Sequence, residues 1–92
     1  MSYFLYILKS QNKDKFYTGI SSDPNKILLY HNSIEKGFTA RYRPWKIVFT
    51  LEMKSKEEAM KVEKRIKRMK SKVYLQKIIS GEYKSIKTDK AG

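Results

Sequence analysis

Two short runs at the start of the chain limit what it can fold into. Tyr3-Phe4-Leu5-Tyr6-Ile7-Leu8 and Lys15-Phe16-Tyr17-Thr18-Gly19-Ile20 are aromatic and aliphatic, and polar Ser10-Gln11-Asn12-Lys13 lies between them. Aromatic and β-branched residues suit a pleated, half-buried surface. A polar break of about four residues suits a hairpin loop. The pair therefore predicts an antiparallel hairpin. With Lys9 opposite Asp14, Tyr6 falls opposite Tyr17, and both rings project from one face. Gly19 ends the second strand two residues after Tyr17 on that same face. A glycine there either lets the chain bend or leaves open space beside the tyrosine pair for a ligand or another backbone.

The rest of the chain reads as one strand and three helices. Asp23-Pro24 is a helix start, with Asp as N-cap and Pro at the first helical position, and the helix runs to about Asn32. Residues 33–43 form a loop with a basic, aromatic tip that includes Arg41 and Arg43, and Pro44 ends it. From Trp45 to Glu52 the residues alternate, with Trp45, Ile47, Phe49 and Leu51 on one face of a third strand. Ser55 with Glu58 is a capping box, and the helix behind it carries Ala59, Val62, Ile66 and Met69 on one stripe. Ser71 caps a third helix, with Val73, Leu75, Ile78 and Ile79 as its apolar residues, and Gly81 stops it. The expected architecture is α+β: a small three-stranded antiparallel sheet flanked by helices, in the order β-β-α-β-α-α. Residues 1–80 form one domain, and 81–92 read as a polar, lysine-rich, loose tail.

Ninety-two residues are too few for a second lobe. The absence of cysteine excludes disulfides and thiolate metal sites and suits a reducing, cytoplasmic setting. The opening residues have neither the basic flank of a signal peptide nor the length of a membrane span, so no membrane partner is expected. Charge narrows the field further. Twenty-one Lys and Arg oppose nine Asp and Glu, for a net +12, and residues 54–72 carry half of that excess. A basic helical face is the footprint of a polyanion binder, or else a solvated lysine-rich surface. Charge alone does not choose DNA over RNA.

Glu63 stands apart among these cations. On the helical wheel it lies at the border of the buried stripe, between Ala59 and Met60. From there a carboxylate reaches either a cleft or Lys67, four residues on, as an ordinary surface pair.

Several motifs together carry a resemblance. Phe4-Leu5-Tyr6 in a first strand is followed by Tyr17-Thr18-Gly19 in a second. A helix ending in His31-Asn32, a Pro44-Trp45 strand and a Glu58-Ala59-Met60-Lys61-Val62-Glu63 helix follow. In this order and spacing, over roughly residues 2–80, the chain resembles the GIY-YIG nuclease superfamily. The likeness is to its small stand-alone bacterial members, and also to the excision-repair nuclease subunit N-terminal domain and the homing endonuclease catalytic domain.

The resemblance implies hydrolysis of DNA phosphodiesters with one Mg²⁺ or Mn²⁺, no small-molecule cofactor, and a role in DNA repair or processing, on branched or damaged DNA. It implies Glu63 as the metal ligand, Tyr17 beside the attacking water, Tyr6 hydrogen-bonded in the same site, and His31 assisting proton transfer or holding phosphate. Gly19, Lys26, Arg41, Arg43, Lys64 and Lys67 are the candidate nucleic-acid contacts. The family arginine of the first helix corresponds here to Ile27, which offers no hydrogen bond. Lys26 points about 100° away on a helix, so Arg41 or Arg43 would have to replace it. The alternative function is a nucleic-acid-binding module that keeps the fold without the chemistry. Weak sequence preference is expected in either case.

Overall fold

The computed structural model describes residues 2–33 and 37–81. The expected tail at 82–92 and part of the basic loop, residues 34–36, lie outside them. The elements are β1 (Tyr3–Ser10), β2 (Phe16–Ser21), α1 (Pro24–Ser33), α2 (Phe38–Arg41), β3 (Trp45–Met53), α3 (Lys56–Met69) and α4 (Lys72–Ile79). The expected order is present, with the single helical turn α2 added in the loop. The three strands form one antiparallel sheet in the order β2-β1-β3.

The hairpin forms, but its register differs from the expectation. Tyr6 pairs with Gly19, Leu8 with Tyr17 and Lys9 with Phe16. The reason is Ser10, which both ends β1 and makes the turn. Its hydroxyl accepts from the backbone N–H of Asn12 at 3.2 Å and of Lys13 at 3.0 Å, and its own N–H donates to the Lys15 carbonyl at 3.0 Å. The offset is two residues, and side chains alternate with period two. Tyr6, Tyr17 and Gly19 therefore still share a face.

β3 also departs from its pattern. The pairing passes from Ile7–Phe49 to Leu8–Ile47, which leaves Val48 as an extra residue in a bulge. Beyond the bulge the faces exchange. Trp45 and Ile47 pack with Tyr6 and Leu8, whereas Val48, Phe49, Leu51 and Met53 pack on the opposite side with Leu5 and Ile7. The expected single face of Trp45, Ile47, Phe49 and Leu51 is thus divided between two clusters.

The larger cluster joins Leu5, Ile7 and Met53 of the sheet to Ala59, Val62 and Ile66 of α3 and Ile78 of α4. Burying a side chain of this size contributes roughly 1.5–3 kcal/mol. α3 starts as expected: the Ser55 hydroxyl accepts from the Glu58 N–H at 3.1 Å, and the Glu58 carboxylate accepts from the Lys54 N–H at 3.2 Å. Glu57 and Glu58 in its first turn and Lys67 and Arg68 in its last complement the helix dipole. Met69, expected in the buried stripe, is half exposed, as is Val73. The chain turns between them at Lys70 and Ser71, and Ile78 of the returning α4 takes up the core position. α1 starts at Asp23, whose carboxylate accepts from the Lys26 N–H at 3.2 Å, and it covers the other sheet face.

Candidate active site

The smaller cluster is aromatic. Tyr6, Leu8 and Trp45 are buried, and Tyr17, Ile27, Leu28, Tyr42 and Ile47 pack against them. His31, the buried residue of α1, completes it. The Tyr17 and His31 ring centroids are 4.9 Å apart, Tyr6 and Tyr17 6.4 Å, and Tyr6 and His31 6.5 Å. The Tyr6 hydroxyl faces His31 Nε2 at 3.5 Å, the outer limit of a hydrogen bond. Three of the four expected catalytic side chains therefore meet in one place.

Gly19 has a use different from both the bend and the open space that the sequence offers. A Cβ at this position would lie 2.5 Å from the Tyr6 hydroxyl oxygen and 2.7 Å from its Cζ. Real Cβ atoms do not come that close. The glycine is needed because its cross-strand partner, Tyr6, lays its ring over the backbone, and the space is filled by that ring.

Glu63 is held half-buried on α3 and pairs with Lys67 at 3.1 Å. The surface-pair reading of this glutamate is thus realised, and it does not remove the carboxylate from the site. Burial, then the charges of Tyr17 and Glu63, push the Tyr6 hydroxyl well above the ordinary phenol range. Tyr6 therefore keeps its proton at neutral pH and acts as a donor. Lys67, while holding Glu63, also stands over the Tyr17 ring at 5.9 Å from its centroid. Burial pushes the His31 imidazole below its ordinary value, so it is neutral near pH 7. Its Nδ1 is buried with no hydrogen-bond partner among the described residues.

Ile27, where the resemblance implies an arginine, is also at this cluster, packed, partly buried, against Tyr6 and Trp45. Of the cations expected to contact nucleic acid, Lys67 stands over the Tyr17 ring. Lys26 and Arg41 are exposed on α1 and α2, and Arg43 is exposed beyond α2, donating to the Asn32 carbonyl at 3.5 Å. Lys64 borders a shallow cleft with Glu57, Met60 and Lys61, apart from the tyrosines.

Sequence reasoning names Asn32 only as a helix end and motif residue and gives it no role. Its side-chain amide donates to the Trp45 carbonyl at 3.1 Å, and its side-chain oxygen accepts from the Trp45 N–H at 2.6 Å. This two-way clasp fixes the end of α1, and His31 with it, to the start of β3. Trp45 in turn donates its indole N–H to the Thr39 carbonyl at 2.7 Å. The clasp joins residues thirteen apart in sequence, and nothing local signals it.

One carboxylate among aromatic hydroxyls is a sparse set of metal donors. Among the described residues no three His, Cys, Asp or Glu side chains converge. Glu63 fits a hard cation of the Mg²⁺ type, which binds through one or two carboxylates and keeps several waters. Among the described residues, no helix is long and apolar enough to cross a membrane.

Comparison with known proteins agrees with this geometry. Comparison with curated proteins found no match. Among solved structures, the solution NMR structure of the UPF0213 protein BH0048 from Bacillus halodurans is 31% identical, covers 98% of this chain and 96% of its own, and superposes with a TM-score of 0.55. The family model of the GIY-YIG catalytic domain matches residues 2–78. With nearly the whole described fold inside that match, the chain belongs to the GIY-YIG catalytic domain family, a nuclease superfamily.

Proposed function

We propose that the chain is a metal-dependent DNA endonuclease, acting in DNA repair or processing, whose rate is limited by Ile27. The observation that supports this most is the convergence of Tyr6, Tyr17 and His31, with the Glu63 carboxylate linked to them through Lys67, which pairs with it at 3.1 Å and stands over the Tyr17 ring. A surface that only bound phosphate would gain nothing from a carboxylate facing it.

Each residue has a chemical part to play. Glu63 would hold Mg²⁺ or Mn²⁺, which when bound supplies Lewis-acid polarisation of a phosphoryl oxygen. Tyr17, the least buried of the three rings, would orient an attacking water and take its proton. The Lys67 ammonium stands over the Tyr17 ring at 5.9 Å from the centroid, where it would meet the phosphate beside that water. Tyr6, kept protonated, donates a hydrogen bond within the site. Neutral His31 accepts or relays a proton. Lys26, Arg41, Arg43, Lys64 and Lys67 supply phosphate contacts that fix the DNA without reading its sequence.

A second reading has its own observation. Ile27 lies against the ring cluster where a transition-state cation would be needed, and that favours a binding module without chemistry. One experiment separates the two. Cleavage of a labelled DNA duplex is followed with Mg²⁺ and Mn²⁺, together with Mn²⁺-induced NMR line broadening, for the natural chain and for Glu63→Gln. The nuclease reading expects slow, metal-dependent cutting that Glu63→Gln abolishes, along with the broadening around residue 63. Broadening that persists in the variant, with no cutting by either chain, would make Glu63 a surface-pair residue and leave the binding module.

A further inference from the structure

The aromatic site does not end at Tyr17. A cavity of about 320 Å³ runs on from it, between the hairpin and the junction of α3 with α4. Tyr17 and Lys67 are part of its lining, so it adjoins the site. Phe16, Ile66 and Leu75 give this groove an apolar floor, each at least partly buried in the main core. Its rim is cationic, made by the exposed Lys15, Lys67, Lys70 and Lys72. Asp14 is the one acid in the lining, and it is held by Lys72 at 2.8 Å.

Lys70 adds an observation of another kind. It closes α3 in the left-handed conformation, at φ 49° and ψ 40°. Glycine is the usual residue there because it lacks the Cβ penalty. The chain keeps a lysine in that strained conformation, at the edge of the groove.

We propose that the groove is a subsite for an unpaired nucleotide flanking the scissile phosphate. The base lies on the Phe16–Ile66–Leu75 floor, and its phosphates lie among Lys67, Lys70 and Lys72. The proposal rests on the nuclease reading above and names the class of DNA that suits this site. Paired bases are stacked within the duplex and present only edges and phosphates, so an apolar floor has nothing to receive from them. An unpaired base presents a ring face, and aromatic stacking accepts any base. A phosphate entering the rim competes with Asp14 for Lys72, so Asp14 moderates the affinity.

The test is fluorescence anisotropy at one fixed salt concentration. It compares a blunt DNA hairpin with the same hairpin carrying a short unpaired tail. The tailed form is expected to bind about tenfold more tightly, the scale of one base–aromatic stack. An abasic tail should lose most of that gain. Lys70→Gly should cut the tail's advantage about threefold, leave blunt-hairpin binding unchanged and not lower the melting temperature. Asp14→Asn should increase the advantage. Equal binding of blunt and tailed hairpins, full affinity for the abasic tail, or equal weakening of both hairpins by Lys70→Gly would overturn the proposal. If the blunt hairpin is bound and cut but the tail adds nothing, the subsite falls and the nuclease reading stands. If neither hairpin binds, both fall.

Discussion

The two faces of β1 do different work. Leu5 and Ile7 point into a cluster that is aliphatic apart from flanking rings, closed by α3 and α4. Tyr6 and Leu8, their immediate neighbours, point into rings and an imidazole under α1. The first face satisfies every demand of burial. The second does not, because His31 Nδ1 is buried without a partner among the described residues. An unmet buried polar group costs about 1–3 kcal/mol. One face of a three-stranded sheet thus stabilises the fold, and the other holds polar groups in fixed relation at some loss of stability. The Val48 bulge lets both exist, by sending Trp45 and Ile47 to the polar side and Phe49, Leu51 and Met53 to the aliphatic side.

This contrast can be broken most forcefully from the aliphatic side. Ile7 is fully buried, and Ile7→Ala should cost about 2–5 kcal/mol through lost burial and the cavity left behind. Tyr6→Phe, one residue away, removes a hydroxyl whose partner among the described residues, His31 Nε2, is 3.5 Å distant. It should cost under about 1 kcal/mol in stability while impairing cleavage. Urea unfolding of the two variants measures both. Equal losses would mean that the faces are not divided in this way.

A smaller effect is expected where the two strands meet under Tyr6. Gly19→Ala must displace the Tyr6 ring and should cost about 1–3 kcal/mol. In a Tyr6→Leu background the obstacle is gone, and the same change should cost much less. A double-mutant cycle reads that coupling. Additive costs would show that Gly19 serves the backbone and not the ring.

The smallest effect belongs to His31, the one histidine of the chain. Its folded value is lowered by burial, so the unfolded state takes up a proton first as pH falls. Stability from this group is whole above pH about 6.5 and declines as pH drops from there through the lowered folded value. NMR titration of the single imidazole should give a midpoint below 6.5, and His31→Gln should flatten the stability profile in that window. A midpoint at or above 6.5 would place the ring in water or beside a carboxylate.

Much of this division was legible in the sequence, and the exceptions have physical causes. Period-two alternation placed Tyr6, Tyr17 and Gly19 on one face even though the register was off by two, because an even slip preserves the face. Helix starts at Asp23, Ser55 and Ser71 were legible because capping is a local interaction. The Ser10 turn was missed because one hydroxyl serves two N–H groups, and a residue pattern does not show that. The bulge was missed although Ile47-Val48-Phe49 interrupts the alternation of Trp45 to Glu52 with three apolar residues in a row, because such a run fits a strand covered on both faces as well as a bulge. Glu63 was placed at the border of the buried stripe and lies there, half-buried. Its partners, Tyr6 and the Lys67–Tyr17 pair, are set by the fold.

The account stands or falls on whether the aromatic face is a reaction centre lacking a cation. The direct measurement is the DNA cleavage rate with Mg²⁺ or Mn²⁺ for the natural chain, Ile27→Arg and Glu63→Gln, with the unfolding free energy of each determined alongside. Ile27 is only partly buried against the rings, so an arginine there can reach the site without full desolvation. A restored donor to the developing phosphoryl charge should raise the rate by an order of magnitude or more, about 10²-fold where the donor is well placed. A folded Ile27→Arg chain that binds DNA and Mn²⁺ yet cuts no faster than Glu63→Gln would contradict the account and make this face a binding surface.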